Sequence, residues 1–219
     1  MSLFITFEGI EGSGKTSRLH VLAKHLRSLD VPVTVTHEPG GCPLADGIRA
    51  LLLAPDQPPM ADRAELLLYL AARAQHVREV IRPALERGDV VLCDRFHDST
   101  LAYQGYARGL DIALIRQINQ FAAGITPDAT FLLDLPAEEG LRRSHRRDRL
   151  KGQSSDRLER EHLDFHRKVR DAFLKLAFEE RERFHIFDAT RPPKDLDREI
   201  AQRFAVLASS TWHPDGDHV

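Results

Sequence analysis

The sequence predicts an α/β fold in which a five-stranded parallel sheet is covered by helices on both faces. Three observations carry this prediction. Short apolar runs are separated by longer segments in which apolar residues recur every three or four positions, and a glycine-rich turn directly follows the first run. Strands that alternate with helices form crossover units, whose buried parallel strands read as continuous apolar runs. The predicted strands span 3–7, 31–35, 90–93, 130–135 and 184–187.

The predicted helices follow from apolar positions spaced three and four residues apart. Pro83 is expected to bend or end the third of them, because proline has no backbone N–H to donate. These elements make a single domain over residues 1–208, and the polar tail 209–219, rich in turn formers, is expected to be flexible. The helices span 15–28, 44–53, 63–87, 112–122, 137–147, 156–183 and 196–207.

The composition excludes several classes of protein. Charged residues make up 29% of the chain, yet the net charge is only −2, which argues against disorder and against bulk attraction to nucleic acid. The two cysteines, Cys42 and Cys93, are too few for a disulfide framework and lack metal-ligand spacing. Without a targeting signal or an apolar stretch of about eighteen residues, the chain is expected to be cytoplasmic.

The glycine-rich turn lies in FEGIEGSGKT, where Gly9, Gly14, Lys15 and Thr16 match the pattern G-x-x-x-x-G-K-[ST]. Glycines let backbone amides wrap a phosphate, and the helix N-terminus adds positive potential. Lys15 can bridge the β- and γ-phosphates of a nucleoside triphosphate, and the Thr16 hydroxyl can ligate Mg²⁺. We therefore expect a P-loop that binds the phosphates of ATP through Gly9, Ile10, Glu11, Gly12, Ser13, Gly14, Lys15, Thr16 and Ser17.

A second polar cluster follows the third predicted strand, which ends at Asp94 and Arg95. Ligands of open α/β sheets gather at the carboxyl ends of the strands, so both side chains are expected near the phosphates. The alternative is a surface ion pair, which contributes at most about 1 kcal/mol. A switch GTPase is disfavoured, because the chain has no guanine-reading motif of the N/T-K-x-D type.

Taken together, the motifs resemble those of the thymidylate kinase family, P-loop enzymes that phosphorylate dTMP to dTDP. They are FEGIEGSGKT, HEPGG at 37–41, LLLYLAARAQH at 66–76, DRFHDSTLAYQG at 94–105, and an arginine-rich segment ending in DRLE at 156–159. The resemblance implies a P-loop NTPase fold with a short mobile lid at about 142–157. It also implies ATP as phosphoryl donor, Mg²⁺ as cofactor, a role in dTTP biosynthesis and assembly as a homodimer.

The same resemblance implies an acceptor site. Tyr69 would stack on thymine where the family usually has phenylalanine, and Arg73 would hydrogen-bond a base carbonyl. Tyr103 would exclude a ribose 2′-hydroxyl, and Glu11 would approach the 3′-hydroxyl. Cys42 stands where a hydroxyl residue is usual. The residues expected to contact dTMP are Glu11, Glu38, Pro39, Tyr69, Arg73, Arg95, Ser99, Thr100, Tyr103 and Gln104.

Positive charge is expected to supply most of the catalysis, because the reaction brings two anions together. The catalytic cations outside the lid are Lys15 and Arg95. By resemblance, the bidentate guanidinium of Arg95 would contact both the acceptor phosphate and the phosphoryl group being transferred. Asp94 would hold Mg²⁺, directly or through water.

The lid is expected to supply a further catalytic arginine, since no arginine lies between Gly9 and Lys15. The resemblance associates this arrangement with bacterial members of the family. Arg157 would be structural or phosphate-contacting, at the start of a helix that Asp156 caps. The candidates for the catalytic arginine are Arg146, Arg147 and Arg149.

Several alternatives stay open. The chain could be a P-loop kinase of UMP, CMP or AMP, or a nucleic-acid-binding module centred on 142–151, although interleaved aromatic residues are missing there. Glu11 could be a solvated loop carboxylate. His162 and His166 are interpreted as solvated histidines of a helix rather than zinc ligands. A two-fold interface is expected around the apolar helix at 64–74.

Overall fold

The computed structural model describes residues 2–55, 58–152 and 157–211. Its centre is a five-stranded sheet in the order β2-β3-β1-β4-β5, in which all neighbouring strands are parallel. The predicted α/β fold is therefore confirmed, and each strand lies close to its predicted position. The strands are β1 (Leu3–Glu8), β2 (Val33–His37), β3 (Val90–Asp94), β4 (Ala129–Asp134) and β5 (Phe184–Asp188).

Helices cover both faces of this sheet. Two π-helical segments, Val77–Ile81 and Leu101–Ala107, continue α3 and α5. Among the described residues, no helix combines the length and the apolar character needed to cross a membrane. The helices are α1 (Lys15–Arg27), α2 (Pro43–Leu53), α3 (Asp62–His76), α4 (Arg82–Glu86), α5 (His97–Thr100), α6 (Ile112–Ala123), α7 (Ala137–Lys151), α8 (Leu163–Glu179) and α9 (Pro193–Thr211).

The central strands β1, β3 and β4 are buried on both faces, as their continuous apolar sequences predict, whereas the edge strands β2 and β5 are partly exposed. Ile5 and Phe7 of β1 join a large apolar cluster that includes Phe173 of α8. Phe4 lies in a smaller cluster with Val77, on the opposite side of the strand. Because all five strands run parallel, the polar residues at their carboxyl ends lie along one edge of the sheet: Glu8, His37, Asp94, Asp134 and Asp188.

The helix predicted over 63–87 changes character just before Pro83. The backbone N–H of Arg82 donates to the carbonyl of Val77, five residues back, which closes a π-helical turn. Pro83 then lies in the first turn of α4, where its missing N–H leaves no helical hydrogen bond unmade. The expected break thus takes the form of a π-helical turn between α3 and α4.

The prediction of one helix over 156–183 is wrong at both ends, because α8 spans only Leu163–Glu179. Residues 157–160 form turns instead, and the predicted cap Asp156 lies outside the described residues. The guanidinium of Arg157 donates to the carbonyl of Leu52 at 3.0 Å, which holds this segment against the end of α2. A tertiary contact therefore overrides the helical periodicity of the sequence.

A helical segment that periodicity does not predict follows β3, over α5 and the π-helical residues Leu101–Ala107. Its sequence looks polar and loop-like, yet Asp98, Thr100 and Gln104 are buried, each 2% exposed or less. Polar side chains replace apolar ones on the inward face of this segment because they make hydrogen bonds with neighbouring elements. The usual 3-to-4-residue apolar signal is consequently absent.

Candidate active site

A cavity of about 850 Å³ opens at the carboxyl edge of the sheet, a size typical of small-molecule sites. Every residue expected to contact dTMP lines it. Of the expected ATP-phosphate residues, Gly9, Ile10 and Ser13 lie outside the lining, and Ile10 packs into the core. The structure thus brings both predicted substrate sites into one cavity. The loop residues that line it are Glu11, Gly12, Gly14, Lys15, Thr16 and Ser17.

The P-loop and the start of α7 approach each other more closely than side chains would allow. Gly12 has a φ of 73°, and a Cβ there would lie 2.1 Å from the carbonyl oxygen of Gly140. A Cβ on Gly140 would lie 2.5 Å from the carbonyl oxygen of Glu11. The two backbones therefore pack directly against each other, which glycine at both positions permits.

Lys15 begins α1 and is only 7% exposed. Its Nζ donates a hydrogen bond to the carbonyl of Ile10 at 2.9 Å, across the loop. Burial and, next, the charge of Arg95 lower the pKa of Lys15 to about 8. An anionic ligand in the loop would raise this pKa again, since a nearby negative charge favours the ammonium form.

Thr16 and Asp94 meet at the mouth of the P-loop, where the Thr16 hydroxyl donates to the Asp94 carboxylate. Mg²⁺ prefers oxygen ligands, and in phosphoryl-transfer enzymes one or two protein oxygens hold it together with phosphates and water. The donor set of these two residues fits that cation. The described residues contain no group of three or more His, Cys, Asp or Glu side chains placed to hold a metal.

Arg95 connects the P-loop to the acceptor side of the cavity. Its φ of 70° is unusual for a residue other than glycine, and its Nη1 donates to the Gly9 carbonyl at 3.0 Å and to the Ser99 hydroxyl at 3.1 Å. An ion pair of 2.8 Å joins it to Glu11, and the Tyr103 ring lies 5.1 Å from the guanidinium carbon. The alternative of a surface Asp-Arg pair is wrong, because Arg95 is 18% exposed and pairs with Glu11.

Glu8, at the end of β1, fixes the turn that carries Arg95. Its buried carboxylate accepts hydrogen bonds from the backbone N–H of Phe96 at 2.8 Å and from the Ser99 hydroxyl at 2.6 Å. Burial raises the pKa of Glu8 to about 7, although the charge of Arg95 opposes the rise. Glu8 therefore fixes the turn that carries Arg95 and does not itself line the cavity.

Three side chains contact the carboxylate of Glu11. It accepts a hydrogen bond from the Tyr103 hydroxyl at 2.6 Å, pairs with Arg95, and has an oxygen 3.3 Å from Nδ1 of His166. Burial would raise the pKa of Glu11, but Arg95 and then His166 outweigh it and hold that pKa well below its usual range. The alternative of a solvated loop carboxylate is wrong. So is the interpretation of His166 as solvated, since it is 1% exposed; His162 is exposed as expected.

Arg73 lies at the floor of the acceptor side and is 2% exposed. Its Nε donates to Glu38 at 2.7 Å, and its Nη1 donates to Thr100 at 2.9 Å and to Asn119 at 2.6 Å. His76 supports Glu38 from the other side, with Nδ1 3.1 Å from the carboxylate. The alternative of a surface arginine beside a core tyrosine is wrong, because Arg73 is the buried member of the Tyr69–Arg73 pair.

The arginine-rich segment belongs largely to α7, which runs to Lys151 and beyond the predicted end at 147. All three candidate arginines are exposed, but only Arg147 among them lines the cavity, where it pairs with Glu159 and Asp148. Intramolecular ion pairs also hold other arginines of this segment, which weakens the nucleic-acid-binding alternative. These pairs join Arg142 and Arg143 to Glu139, and Arg157 to Glu65.

Two arginines that were not assigned from the sequence also line the cavity. Arg49 of α2 donates to the Pro39 carbonyl at 2.7 Å, and Arg143 of α7 donates to the Ala189 carbonyl at 3.1 Å. The signal that could have indicated Arg49 is a single cation in the otherwise apolar second half of α2. Cys42, at the N-terminus of α2, is buried against Ala45 and lies outside the lining.

Comparisons with known proteins agree with this geometry. The family model described as thymidylate kinase matches residues 7–200. The thymidylate kinase of Syntrophotalea carbinolica is 56% identical over 86% of this chain and 88% of its own, and that of Geotalea uraniireducens is 52% identical over 95% and 98%. A crystal structure of thymidylate kinase from Ehrlichia chaffeensis superposes with a TM-score of 0.74 at 33% identity, covering 93% of this chain and 98% of that one. The chain belongs to the thymidylate kinase family.

Proposed function

We propose that this protein transfers the γ-phosphate of ATP to dTMP, giving ADP and dTDP for dTTP biosynthesis. The observation that carries the proposal is Arg95, whose guanidinium touches the P-loop at Gly9 and the acceptor side at Ser99 within one cavity. A phosphoryl group that passes between the two sites must therefore come close to this guanidinium. The family of the chain and the names of its relatives support the same reaction.

The attacking group is a phosphate oxygen of dTMP. Its second pKa lies near 6, so the nucleophile is largely dianionic at neutral pH and needs no strong general base. The difficulty is repulsion between two anions, and therefore positioning and positive charge supply most of the acceleration. Lys15 holds the donor phosphates, and Arg95 neutralises charge shared by donor and acceptor. Thr16 and Asp94 would hold Mg²⁺, which neutralises charge on the donor phosphates when bound.

The acceptor nucleotide is oriented by groups around the pyrimidine and the sugar. Tyr69 stacks on the base and Arg73 donates to a base carbonyl, while Tyr103 closes the space that a ribose 2′-hydroxyl would need. Glu11 receives the sugar 3′-hydroxyl, in competition with the hydrogen bond from Tyr103. Arg49, which lines the cavity on this side, adds a cation for the acceptor phosphate.

The remaining catalytic charge comes from α7. Among Arg146, Arg147 and Arg149, we propose Arg147, because it lines the cavity while the other two lie outside the lining. Its present partners, Glu159 and Asp148, are carboxylates that a transferring phosphoryl group would replace.

The direct test is a panel of acceptors with ATP and Mg²⁺: dTMP, dUMP, UMP, CMP and AMP, with ADP formation as the readout. We expect a clear preference for dTMP. We also expect measurable turnover of dUMP, because one methyl group in an apolar pocket is worth only about 1–3 kcal/mol. Equal rates for all acceptors, or a preference for AMP, would reject the assignment.

Two further features stay proposals. A homodimer is supported by leucines of α2 and α3 that remain exposed, Leu44, Leu51 and Leu67. Light scattering should then give twice the chain mass of 24.8 kDa, and a single-chain mass at working concentration would refute the dimer. The cytoplasmic location and the single domain over 1–208 likewise remain predictions.

A further inference from the structure

Glu65 is a buried carboxylate of α3, 1% exposed, that the proposed reaction does not use. Its two oxygens have different partners. Oε1 accepts a hydrogen bond from Nε2 of Gln104 at 2.7 Å, and Oε2 accepts one from Arg157. Arg108 approaches both, with Nε 3.5 Å from Oε1 and Nη2 3.4 Å from Oε2. Glu65 therefore joins the acceptor side of the cavity to the segment that follows α7.

The charge of Glu65 fixes the amide of Gln104. Burial would raise the pKa of Glu65, but the hydrogen bond from Gln104 and the charge of Arg108 lower it below its ordinary value. An ionised carboxylate has only acceptor sites, so the NH₂ group of Gln104 must face it. The orientation of this amide is therefore dictated by its partner, and its carbonyl oxygen is the group left for a ligand.

The resulting pattern of hydrogen-bond donors and acceptors in the cavity complements the edge of one class of pyrimidine base. Gln104 and Arg73 both line the cavity, and there Arg73 can only donate while the Gln104 oxygen can only accept. Thymine and uracil present the complement, a carbonyl acceptor beside the N3–H donor. Cytosine presents the reverse, an amino donor beside an unprotonated N3.

We propose that Glu65 is a positioning residue that makes the acceptor site specific for bases carrying N3–H, by holding the carbonyl oxygen of Gln104 toward the base. The inference rests on the proposed function, since it needs a pyrimidine in this cavity. A site built to hydrogen-bond one pattern rejects the reversed one strongly, because mismatched polar groups are left buried and unpaired. Without the carboxylate, the Gln104 amide can turn over and donate to the unprotonated N3 of cytosine, which removes one of the two mismatches and leaves the one between Arg73 and the amino group.

Glu65→Gln tests this, because an amide can donate to the Gln104 oxygen and allow the reversed orientation. We expect the ratio of kcat/KM for dTMP to that for dCMP to fall by about tenfold or more. The ratio of dTMP to dUMP should not change, since both bases carry N3–H. Glu65→Asp retains the carboxylate and should keep the dTMP:dCMP ratio close to wild type. An unchanged dTMP:dCMP ratio in folded Glu65→Gln would overturn the proposal.

Arg157→Gln is the matched control. It removes the closer of the two arginine partners of Oε2 and leaves the Oε1 hydrogen bond to Gln104 in place. We expect it to lower kcat/KM for dTMP and dCMP by the same factor. A fall in the dTMP:dCMP ratio as large as that of Glu65→Gln would assign the discrimination to the Arg157 contact, and the proposal would be wrong.

Circular dichroism and thermal melting establish whether Glu65→Gln folds. If it does not, Gln104→Met removes the amide with little change in length, and the dTMP:dCMP ratio should again fall about tenfold. An unchanged ratio in that variant would overturn the role given to the Gln104 oxygen. Failure of the proposed function is a separate outcome, because it shows in the wild-type protein as the absence of any preference for dTMP.

Discussion

At the residue scale, Arg147 differs from Arg146 and Arg149 because it lines the cavity. We expect Arg147→Gln to lower kcat by about a hundredfold or more, because a donor aimed at developing phosphoryl charge is worth roughly 10²–10³ in rate. The KM for ATP should change much less, since the interaction is strongest in the transition state. Steady-state kinetics with both substrates saturating measures the effect.

Arg146 and Arg149 provide the controls for this prediction. Both are exposed on the same helix, so their replacement by glutamine removes one charge without reaching the cavity. We expect each variant to keep kcat within about threefold of wild type, since exposed surface substitutions have small effects. A loss at either position as large as that at Arg147 would assign the catalytic arginine differently.

Lys15 makes ATP binding dependent on pH. Its pKa in the free protein is lowered to about 8, so the ammonium form is present below that pH and is lost as pH rises through it. Bound phosphates raise this pKa, and affinity should therefore weaken about fivefold between pH 8 and pH 9, with proton uptake on binding. Calorimetry with a non-hydrolysable ATP analogue in buffers of different ionisation enthalpy measures both.

The control for Lys15 is Lys15→Arg, which keeps its charge over the whole range. Its affinity for the analogue should be weaker but flat between pH 7 and pH 9.5, since arginine does not titrate there. A flat profile in the wild type would mean that the charge of Lys15 does not limit binding.

Sequence motifs identify residues whose chemistry is local, and the P-loop lysine is found in this way. They do not identify residues that act through partners far along the chain. Glu65 contacts Gln104 and Arg157, and His166 contacts Glu11, across separations that no local pattern encodes. Side chains of this kind look like ordinary charged positions of a helix until the fold brings their partners together.

At the scale of elements, the contact between the P-loop and α7 can be tested at Gly140. Gly140→Ala would place its Cβ 2.5 Å from the Glu11 carbonyl oxygen, so the loop or the helix must move. We expect a loss of about 1–3 kcal/mol in unfolding free energy, typical of overpacking, and a higher KM for ATP. Urea denaturation and initial rates measure the two effects.

Gly47→Ala serves as the matched helical control. Gly47 lies in α2, and a Cβ there would meet no atom within 4 Å. Alanine is the better helix former by about 0.5–1 kcal/mol, so this variant should be slightly more stable than wild type with normal kinetics. Equal behaviour of the two alanine variants would contradict the close approach at Gly140.

Element boundaries follow from the sequence where backbone hydrogen bonding decides them, as at the start of α1 after the P-loop. They fail where a tertiary contact decides. The segment at 157–160 is held against α2 by Arg157, and α5 with its π-helical continuation buries polar side chains where apolar ones would have given a helical signal. Both failures lie beside the cavity, where ligand contacts compete with regular packing.

At the scale of the whole molecule, a buried ion pair ties the residues after β3 to the entry of β5. Asp98, which is fully buried, accepts hydrogen bonds from both Nη atoms of Arg183 at 2.8 Å. We expect Asp98→Asn to lower the unfolding free energy at pH 7 by up to about 3–5 kcal/mol, because it removes the fully buried carboxylate and leaves Arg183 with only Glu180 as an anionic partner. Urea denaturation followed by circular dichroism measures the loss.

The pH dependence of that loss has a definite sign. Burial would raise the pKa of Asp98, but His97 and then Arg183 outweigh it and hold the pKa well below its usual range. A depressed pKa contributes stability above the unfolded-state value of about 3.9 that is lost as pH falls through the folded-state value. The difference between wild type and Asp98→Asn should therefore narrow below about pH 4.

Glu179→Gln is the control for the buried pair. It breaks an ion pair with Arg116 in which both side chains are more than a third exposed. Exposed pairs contribute about 0–1 kcal/mol, so the stability of this variant should stay near that of wild type at all pH values. A pH-independent difference between wild type and Asp98→Asn would mean that lost packing, rather than charge, causes the destabilisation.

The fold as a whole is predictable because its central strands are buried on both faces and its strands are separated by helical segments long enough for crossovers. Ile5 and Phe4 illustrate this, since they face opposite sides of the sheet within one apolar run. The sequence cannot supply the strand order, with β1 between β3 and β4, because strand pairing depends on contacts between distant residues.

The close contact between Gly12 and Gly140 is also a point about which α7 can tilt. Arg147 lies seven residues beyond Gly140 on α7, a distance of about 10 Å at 1.5 Å per residue. A tilt of α7 by roughly 10° about the glycine contact would carry Arg147 by about 2 Å, enough to make or break a hydrogen bond. A tilt of α7 at the P-loop would therefore move positive charge within the cavity by about that distance.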